Sequence, residues 1–579
     1  MKKIIIVFCM LLPLMSQAQE RELIWPERKM PDRQKHQVAA MTAEMADKEF
    51  KRDKHRVPYI EWYAKPEESV RDSSCMILIS GGAYECCCDN ELVSNWAERF
   101  TKLGVQCVNF VYRTPRPEGI PIYQTAWEDG QRAVRMVRSE AAKRGFNPEK
   151  IGVIGMSAGS HLALLLASSS QTPAYGKIDD IDDVPCHINW AIANAPAYLT
   201  TDGETGEASR NGYGPDVRLS GCFKFDEKTC PVSLHHGGRD PYSPNGSTLF
   251  YRELRRRGIP AELHLYPKKG HGAFGFDRAV EFMKQLGFLG RLEEEEKIMK
   301  RFPSDEQNVK YTKQNIWPEG RAPDFQERQN TPYLEWYVPD NLKTRAIQII
   351  YSGGSYEGND PNGFEVAPVR RFLNAKGMAV VTLKYRTPRP SAESGLSKHT
   401  NAWQDLQRAV RIVRSEAQEH GLDPDHIGIM GSSAGGHLTL MGATSSLHQS
   451  YNPIDKTDKL PCNVQWGIAI YPAYVLSDGA NGENIHNGND EGDSLVEDFS
   501  FDVKSAPLLM IHGDKDRYSA MGSVKIWEKM RSMGVQCELH TLAGREHCFN
   551  RNASPGTGSY NYLDRIEEYL RKMGVFKKF

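Results

Sequence analysis

Apolar residues fall along this chain in two kinds of pattern. Short, nearly unbroken runs of Val, Ile and Leu alternate with longer stretches whose apolar positions recur at helical spacing. The first pattern is what a strand buried on both faces requires, and the second is the stripe of an amphipathic helix. Strand-like runs cover residues 76–80, 105–112, 151–155, 188–194, 232–235 and 261–266, and again 347–351, 378–385, 427–431, 464–470, 508–511 and 538–542. Such alternation predicts parallel strands joined by crossover helices. The fold class is therefore α/β, with mostly parallel, doubly wound sheets flanked by helices.

The second series of runs copies the first. Ser157, Asp240 and His271 recur as Ser433, Asp516 and His547, each displaced by 276 positions (433−157, 516−240, 547−271). That period is far too long for a solenoid repeat and matches a whole domain, and 579 residues exceed what one core usually supports. The match opens with Ile24, Trp25 and Pro26, which return as Ile316, Trp317 and Pro318 at an offset of 292 (316−24). By Glu61 and Glu335 the offset is 274 (335−61), so the first copy holds 18 extra residues (292−274). The Lys-, Glu- and Met-rich stretch at 36–52 reads as an inserted helix or linker. A charged stretch at 291–313 is expected to be helix end and linker at the joint. The domains are read as a signal peptide at 1–18, a first domain at 19–295 and a second at 296–579.

Each copy carries a GxSxG motif, Gly155 to Gly159 and Gly431 to Gly435, between a predicted strand and an apolar helix. Small residues there permit the tight turn that lifts a serine out of a sheet. A serine hydroxyl becomes nucleophilic when an imidazole takes its proton, and that imidazole needs a carboxylate to fix its tautomer. Asp240 and Asp516 follow a strand, and His271 and His547 follow the last strand, so the order Ser, Asp, His holds in both copies. Asp514 competes with Asp516, but its counterpart is Gly238. His236 and His512 also repeat, and end a strand before the acid loop as structural residues. Backbone donors for an oxyanion are expected from Gly82, Ala83 and Ala158, and from Gly354, Ser355 and Ala434, with the choice among neighbouring amides open.

Charge and cysteine content narrow the class. The formal net charge is −1 and no basic stripe with interleaved aromatics occurs, which excludes nucleic acid as the expected partner. Met1, Lys2 and Lys3 precede an apolar run to about Met15 and then Ser16, Gln17 and Ala18, the pattern of a cleaved signal peptide. A periplasmic or secreted protein, with no membrane contact after cleavage, is expected. Cys86, Cys87 and Cys88 have no companion pair at ligand spacing, so neither metal nor cofactor is expected. Cys186 and Cys462 match and read as buried small hydrophobes. Cys222 and Cys230 either form a local disulfide or remain thiols.

With these motifs the chain resembles the α/β-hydrolase superfamily, in particular secreted carbohydrate esterases of the acetyl-xylan type and lipase/esterases that carry an HGGG or PGGGY loop, GxSxG and an HGxxD loop. The resemblance covers both halves, so two tandem α/β-hydrolase domains are implied. Tyr112 to Pro115 and Gln131 to Ser139, repeated at Tyr385 to Pro388 and Gln407 to Ser415, look like the same type and read as structural. Ser80 and Ser352 depart from the family, standing where it has His or Pro before the glycines. The resemblance implies a secreted serine esterase with two sites that removes acyl groups, acetyl above others, from an oligo- or polysaccharide such as xylan. Polar loops at 202–230 and 478–506 differ between copies and point to unequal substrates. A serine peptidase, a feruloyl esterase, and one catalytic domain beside a non-catalytic carbohydrate-binding one are the alternatives.

Overall fold

The computed structural model describes residues 20–26, 29–32, 57–64, 73–88, 95–203, 217–289, 309–477, 494–551 and 562–576. The expected signal peptide and the 36–52 insertion lie outside them. So does most of the differing part of both polar loops.

In the first half the strands are β1 Glu20–Leu23, β2 Tyr59–Trp62, β3 Cys75–Ile79, β4 Gln106–Val111, β5 Ile151–Met156, β6 Trp190–Asn194, β7 Val232–Gly237 and β8 Ala261–Tyr266. In the second they are β9 Val309–Asn315, β10 Tyr333–Pro339, β11 Ile347–Tyr351, β12 Ala379–Lys384, β13 Ile427–Ser432, β14 Trp466–Ile470, β15 Leu508–Gly513 and β16 Cys537–Leu542. The apolar runs thus fold as strands, with ends shifted by a residue or two. Four strands went unread. β1, β2, β9 and β10 carry polar and aromatic residues rather than a Val/Ile/Leu run, and only antiparallel pairing with the sheet edge makes them strands. The expectation of helix end and linker to residue 313 is corrected accordingly, because β9 starts at Val309. Its exposed Lys310 and Lys313 blunt an edge that would otherwise recruit another chain.

Each half runs antiparallel at its outer edge and parallel from β3 to β8 or β11 to β16, with the order β1-β2-β4-β3-β5-β6-β7-β8 and its copy. The strands from β3 to β8 are buried almost throughout, as are those from β11 to β16, because helices cover both faces. Buried Leu, Ile and Val contribute about 1.5–3 kcal/mol each. One apolar layer runs under both nucleophile helices and across the two halves, whereas the opposite face has a separate core in each half.

The halves meet edge to edge. β8 pairs antiparallel with β16, Leu265 opposite Leu539 and His264 opposite His540, so the described strands make one sixteen-stranded sheet. His264 Nδ1 and His540 Nδ1 face each other at 2.9 Å near the local two-fold, and two equivalent imidazoles cannot both donate there. Their surroundings break the tie. Burial pushes the Glu262 carboxyl up to about 8, so it is protonated at neutral pH and donates to His264 Nε2 at 2.9 Å. Burial disfavours charge on Glu538 too, but hydrogen bonds from His540 and Lys572 overcome it and hold that carboxyl at about 2. Both imidazoles are kept neutral by burial. The chain of donors therefore runs one way, from Glu262 through His264 and His540 to the Glu538 carboxylate.

Candidate active site

Both serines sit in a sharp turn between strand and helix. Ser157 closes β5 and caps the helix Ala158–Ser168 at φ 56°, and Ser433 closes β13 and caps Ala434–Thr444 at φ 54°. Such positive φ at a residue with a side chain costs about 1–3 kcal/mol and persists only where neighbours enforce it. Here glycines allow the enforcement. A Cβ on Gly159 would lie 2.4 Å from the carbonyl oxygens of Ile79 and Ser80, and one on Gly435 would lie 2.6 Å from Ser352 O.

The structure brings the predicted triad of the second half together, and in the first half the predicted base and acid. His547 Nδ1 donates to Asp516 at 2.8 and 2.9 Å, which leaves Nε2 as an acceptor for the Ser433 hydroxyl at 2.8 Å. Burial alone would raise the Asp516 carboxyl, but hydrogen bonds from His512 and His547 dominate and hold it at about 2. In the first half His271 Nδ1 donates to Asp240 at 2.9 and 3.0 Å, while Ser157 and His271 share no hydrogen bond. The His271 side chain is 26% exposed against 9% for His547, so the first site is the more open one. Asp514, the competing acid, instead binds Tyr251, Arg255 and the Ala261 amide of the first half, which makes it a seam residue.

His236 and His512 do more than end a strand. Tyr242 O can only accept, so His236 Nε2 donates to it at 3.0 Å and Nδ1 accepts from Ser247 at 2.8 Å. His512 repeats this with Tyr518 O and Ser523. Each imidazole thereby fixes the acid loop, and burial holds the one at His236 down to about 4. The acids Asp240 and Asp516 in turn accept the Tyr242 and Tyr518 amides at 2.8 Å.

The loop after β3 or β11 stands over the serine. Ala83 and Tyr84, like Ser355 and Tyr356, have positive φ, so the same tight turn recurs in both copies. The six proposed oxyanion donors, on Gly82, Ala83, Ala158, Gly354, Ser355 and Ala434, bind no protein acceptor among the described residues. Gly353 N–H, by contrast, is taken by buried Glu365 at 2.7 Å. That Glu365 lines the second cleft was not readable from sequence, since no repeat position or motif marks it. The cleft, about 380 Å³, is also lined by Ser433, His547, Arg517, Cys548 and Arg551.

The remaining motifs are structural. Arg113 is buried between Asp129 and Glu128, and Asp129 also accepts Trp25 Nε1 at 2.6 Å. Arg386, Asp405 and Trp317 repeat the arrangement under the second site. Cys222 and Cys230 are free thiols, which settles the disulfide alternative against a bridge. Cys186 and Cys462 are buried as expected.

The sequence model of the BD-FAE family matches residues 61–180 and 334–530, together more than half of the chain, and that of the prolyl oligopeptidase family matches 124–293. Among curated proteins the chain is similar to an acetylxylan esterase of Xylanibacter ruminicola, 26% identical over 248 residues, which are 40% of this chain and 46% of the relative. It is also 26% identical over 223 residues to endo-1,4-beta-xylanase B of Butyrivibrio fibrisolvens, covering 37% of this chain and 34% of the relative. The matches thus span between about a third and a half of these relatives' length. Among solved structures, the acetyl ester-xyloside bifunctional hydrolase of Caldicellulosiruptor lactoaceticus is 23% identical with a TM-score of 0.38, over 46% of this chain and 97% of that one.

Proposed function

We propose that this chain, which belongs to the BD-FAE family, is a serine carboxylic ester hydrolase with two active sites that removes acyl groups, acetyl foremost, from a xylan-type polysaccharide. The observation that carries the reading is the continuous hydrogen-bonded line from Ser433 Oγ through His547 to Asp516. Ser433 attacks the ester carbonyl while His547 Nε2 takes the hydroxyl proton, and the imidazolium stands against the Asp516 carboxylate. The alkoxide of the tetrahedral intermediate points at the free amides of Gly354, Ser355 and Ala434. His547 then protonates the leaving sugar oxygen, and water, deprotonated by the same nitrogen, releases the acid. Ser157, His271, Asp240 and the amides of Gly82, Ala83 and Ala158 perform the same steps in the first half once substrate draws Ser157 onto His271.

The substrate class rests on the acetylxylan esterase and the xylanase among the relatives. Unequal substrates are supported by the clefts. Arg517 and Arg551 line the second one, whereas 276 positions earlier stand Pro241 and Gly275. The second site thus suits esters that carry or neighbour an acidic group. Export is part of the proposal, on the pattern of residues 1–18.

Acetate release from acetylated xylan and from an aryl acetate tests the reading in wild type, Ser157→Ala, Ser433→Ala and the double variant. Each single variant is expected to keep part of the activity with a changed substrate profile, and the double variant to lose it by on the order of 10⁴-fold or more. One single variant that is already inactive overturns the two-site reading. A wild type inert toward every ester but active on peptides moves the chain to the peptidase chemistry of its second family match.

A further inference from the structure

Behind the oxyanion loop of the second half, His399, His437 and Asp498 bring three donor atoms within 4.8 Å of one another. His437 lies one helical turn after Ser433, and none of its side chain is exposed. Its Nδ1 is bound to Tyr356 OH at 2.9 Å, as an outer-shell partner binds a ligating imidazole. Its Nε2 stands 3.1 Å from Asp498 Oδ2 and His399 Nδ1 stands 3.4 Å from the same oxygen, so one carboxylate oxygen is the shared contact of both ring nitrogens, neither in hydrogen-bond alignment with it. Two buried ring nitrogens left without hydrogen bonds are costly unless something else satisfies them. Tetrahedral zinc with bonds of about 2.0–2.2 Å sets its ligand atoms roughly 3.3 Å apart, and the separations of the two ring nitrogens from Asp498 Oδ2, 3.1 and 3.4 Å, bracket that value.

The first half supplies an internal comparison. The positions 276 earlier are Tyr123, His161 and Cys222 (399−276, 437−276, 498−276). There the central imidazole keeps its tyrosine, Tyr84, at 2.8 Å, but its Nε2 faces the Cys222 thiol at 3.7 Å and no second imidazole is present. His399 and Asp498 also line a cavity of about 890 Å³ beside the second cleft, which leaves room for a fourth ligand, water.

We propose that His399 Nδ1, His437 Nε2 and Asp498 form a binding site for a divalent cation of the zinc class, present in the second half and absent from the first. The cation would tie the segment 494–499 and the start of the helix Thr400–Glu416 to the nucleophile helix. It would also hold Tyr356, and with it the loop that carries the Gly354 and Ser355 amides.

The test is titration of chelator-treated full-length protein with Zn²⁺ by calorimetry, and with Co²⁺ by visible absorption. Wild type and Ser433→Ala are each expected to bind one equivalent, Co²⁺ with the intense bands of tetrahedral coordination, and to unfold at a higher temperature when loaded. His399→Tyr, which restores the first-half residue, and Asp498→Ala are expected to bind on the order of 100-fold more weakly while the metal-free unfolding temperature stays near that of wild type. Absence of stoichiometric binding in wild type, or binding unchanged in both variants, overturns the proposal. Binding lost together with a collapse of the metal-free fold in both variants also counts against it, because the three residues would then be a structural hydrogen-bonding group.

Discussion

Ser157 and Ser433 hold their backbones at φ 56° and 54°, and the atoms that keep them there are neighbouring carbonyls packed where no Cβ fits. Gly435→Ala is therefore expected to destabilise by about 1–3 kcal/mol and to depress turnover at the second site, read by thermal unfolding and by ester hydrolysis in the Ser157→Ala background. Asp516 shows how much one carboxylate contributes. Its folded value of about 2 lies below the usual 3.8, so its stabilisation is fully present above about pH 4 and is lost as pH falls through 2. The linkage is worth about 2 kcal/mol. Asp516→Asn is expected to lose that increment at pH 7 and to lower turnover at the second site by about 10⁴-fold through the wrong tautomer of His547. Because Asp516 stays ionised above pH 4, an acid limb of the rate profile near neutrality cannot come from it. The line Ser433, His547 and Asp516 and the pair His271 and Asp240 were legible in sequence, since order and spacing repeat at a fixed offset. Glu365 was not, because it reaches Gly353 only through tertiary packing.

At the scale of elements, the strand ends and the acid loops act as units. His236 ties the end of β7 to the helix Asn245–Arg256 through Ser247 and to the acid loop through Tyr242. His236→Ala would leave a buried carbonyl and hydroxyl unpaired, a cost of about 1–3 kcal/mol. It is expected to lower kcat at the first site with KM nearly unchanged, because it shifts Asp240 rather than the cleft. A KM increase with constant kcat in the Ser433→Ala background would contradict that role. The parallel strands were readable from their apolar runs. β1 and β9 were not, because an exposed edge strand has no buried face to write into the sequence, and its pairing partner decides its structure.

At the scale of the molecule, the described strands make one sheet because the edge left open by each half is closed by the other. The seam carries a testable signature. Glu262 titrates at about 8 in the fold and near 4.3 when exposed, so the native state holds a proton that the unfolded chain has already lost between those values. Its contribution is fully present below about pH 4.3 and is lost as pH rises toward 8, with a slope of up to about 1.4 kcal/mol per pH unit. Glu262→Gln keeps an uncharged donor beside His264. Thermal unfolding from pH 5 to 8.5 should therefore fall less steeply with pH in the variant than in wild type, and equal slopes would remove Glu262 from the seam's proton chain.

By itself the sequence determined the local patterns and their repetition: buried parallel strands, two strand-turn-helix serines, and the Asp and His that follow at fixed separations. Each of these depends on residues close in sequence or on spacing preserved between copies, so it leaves a mark in the chain. Only the tertiary structure decided what depends on distant residues meeting. It joined β8 to β16, turned Asp514 into a seam contact, and gave His547 a bonded serine while leaving His271 without one. It also gathered His399, His437 and Asp498, which lie 38 and 61 positions apart (437−399, 498−437) and match no ligand spacing. The physical reason is common to all four. Hydrogen bonds and ligand geometry act over about 3 Å, and the chain's linear order does not encode which distant side chains folding brings that close.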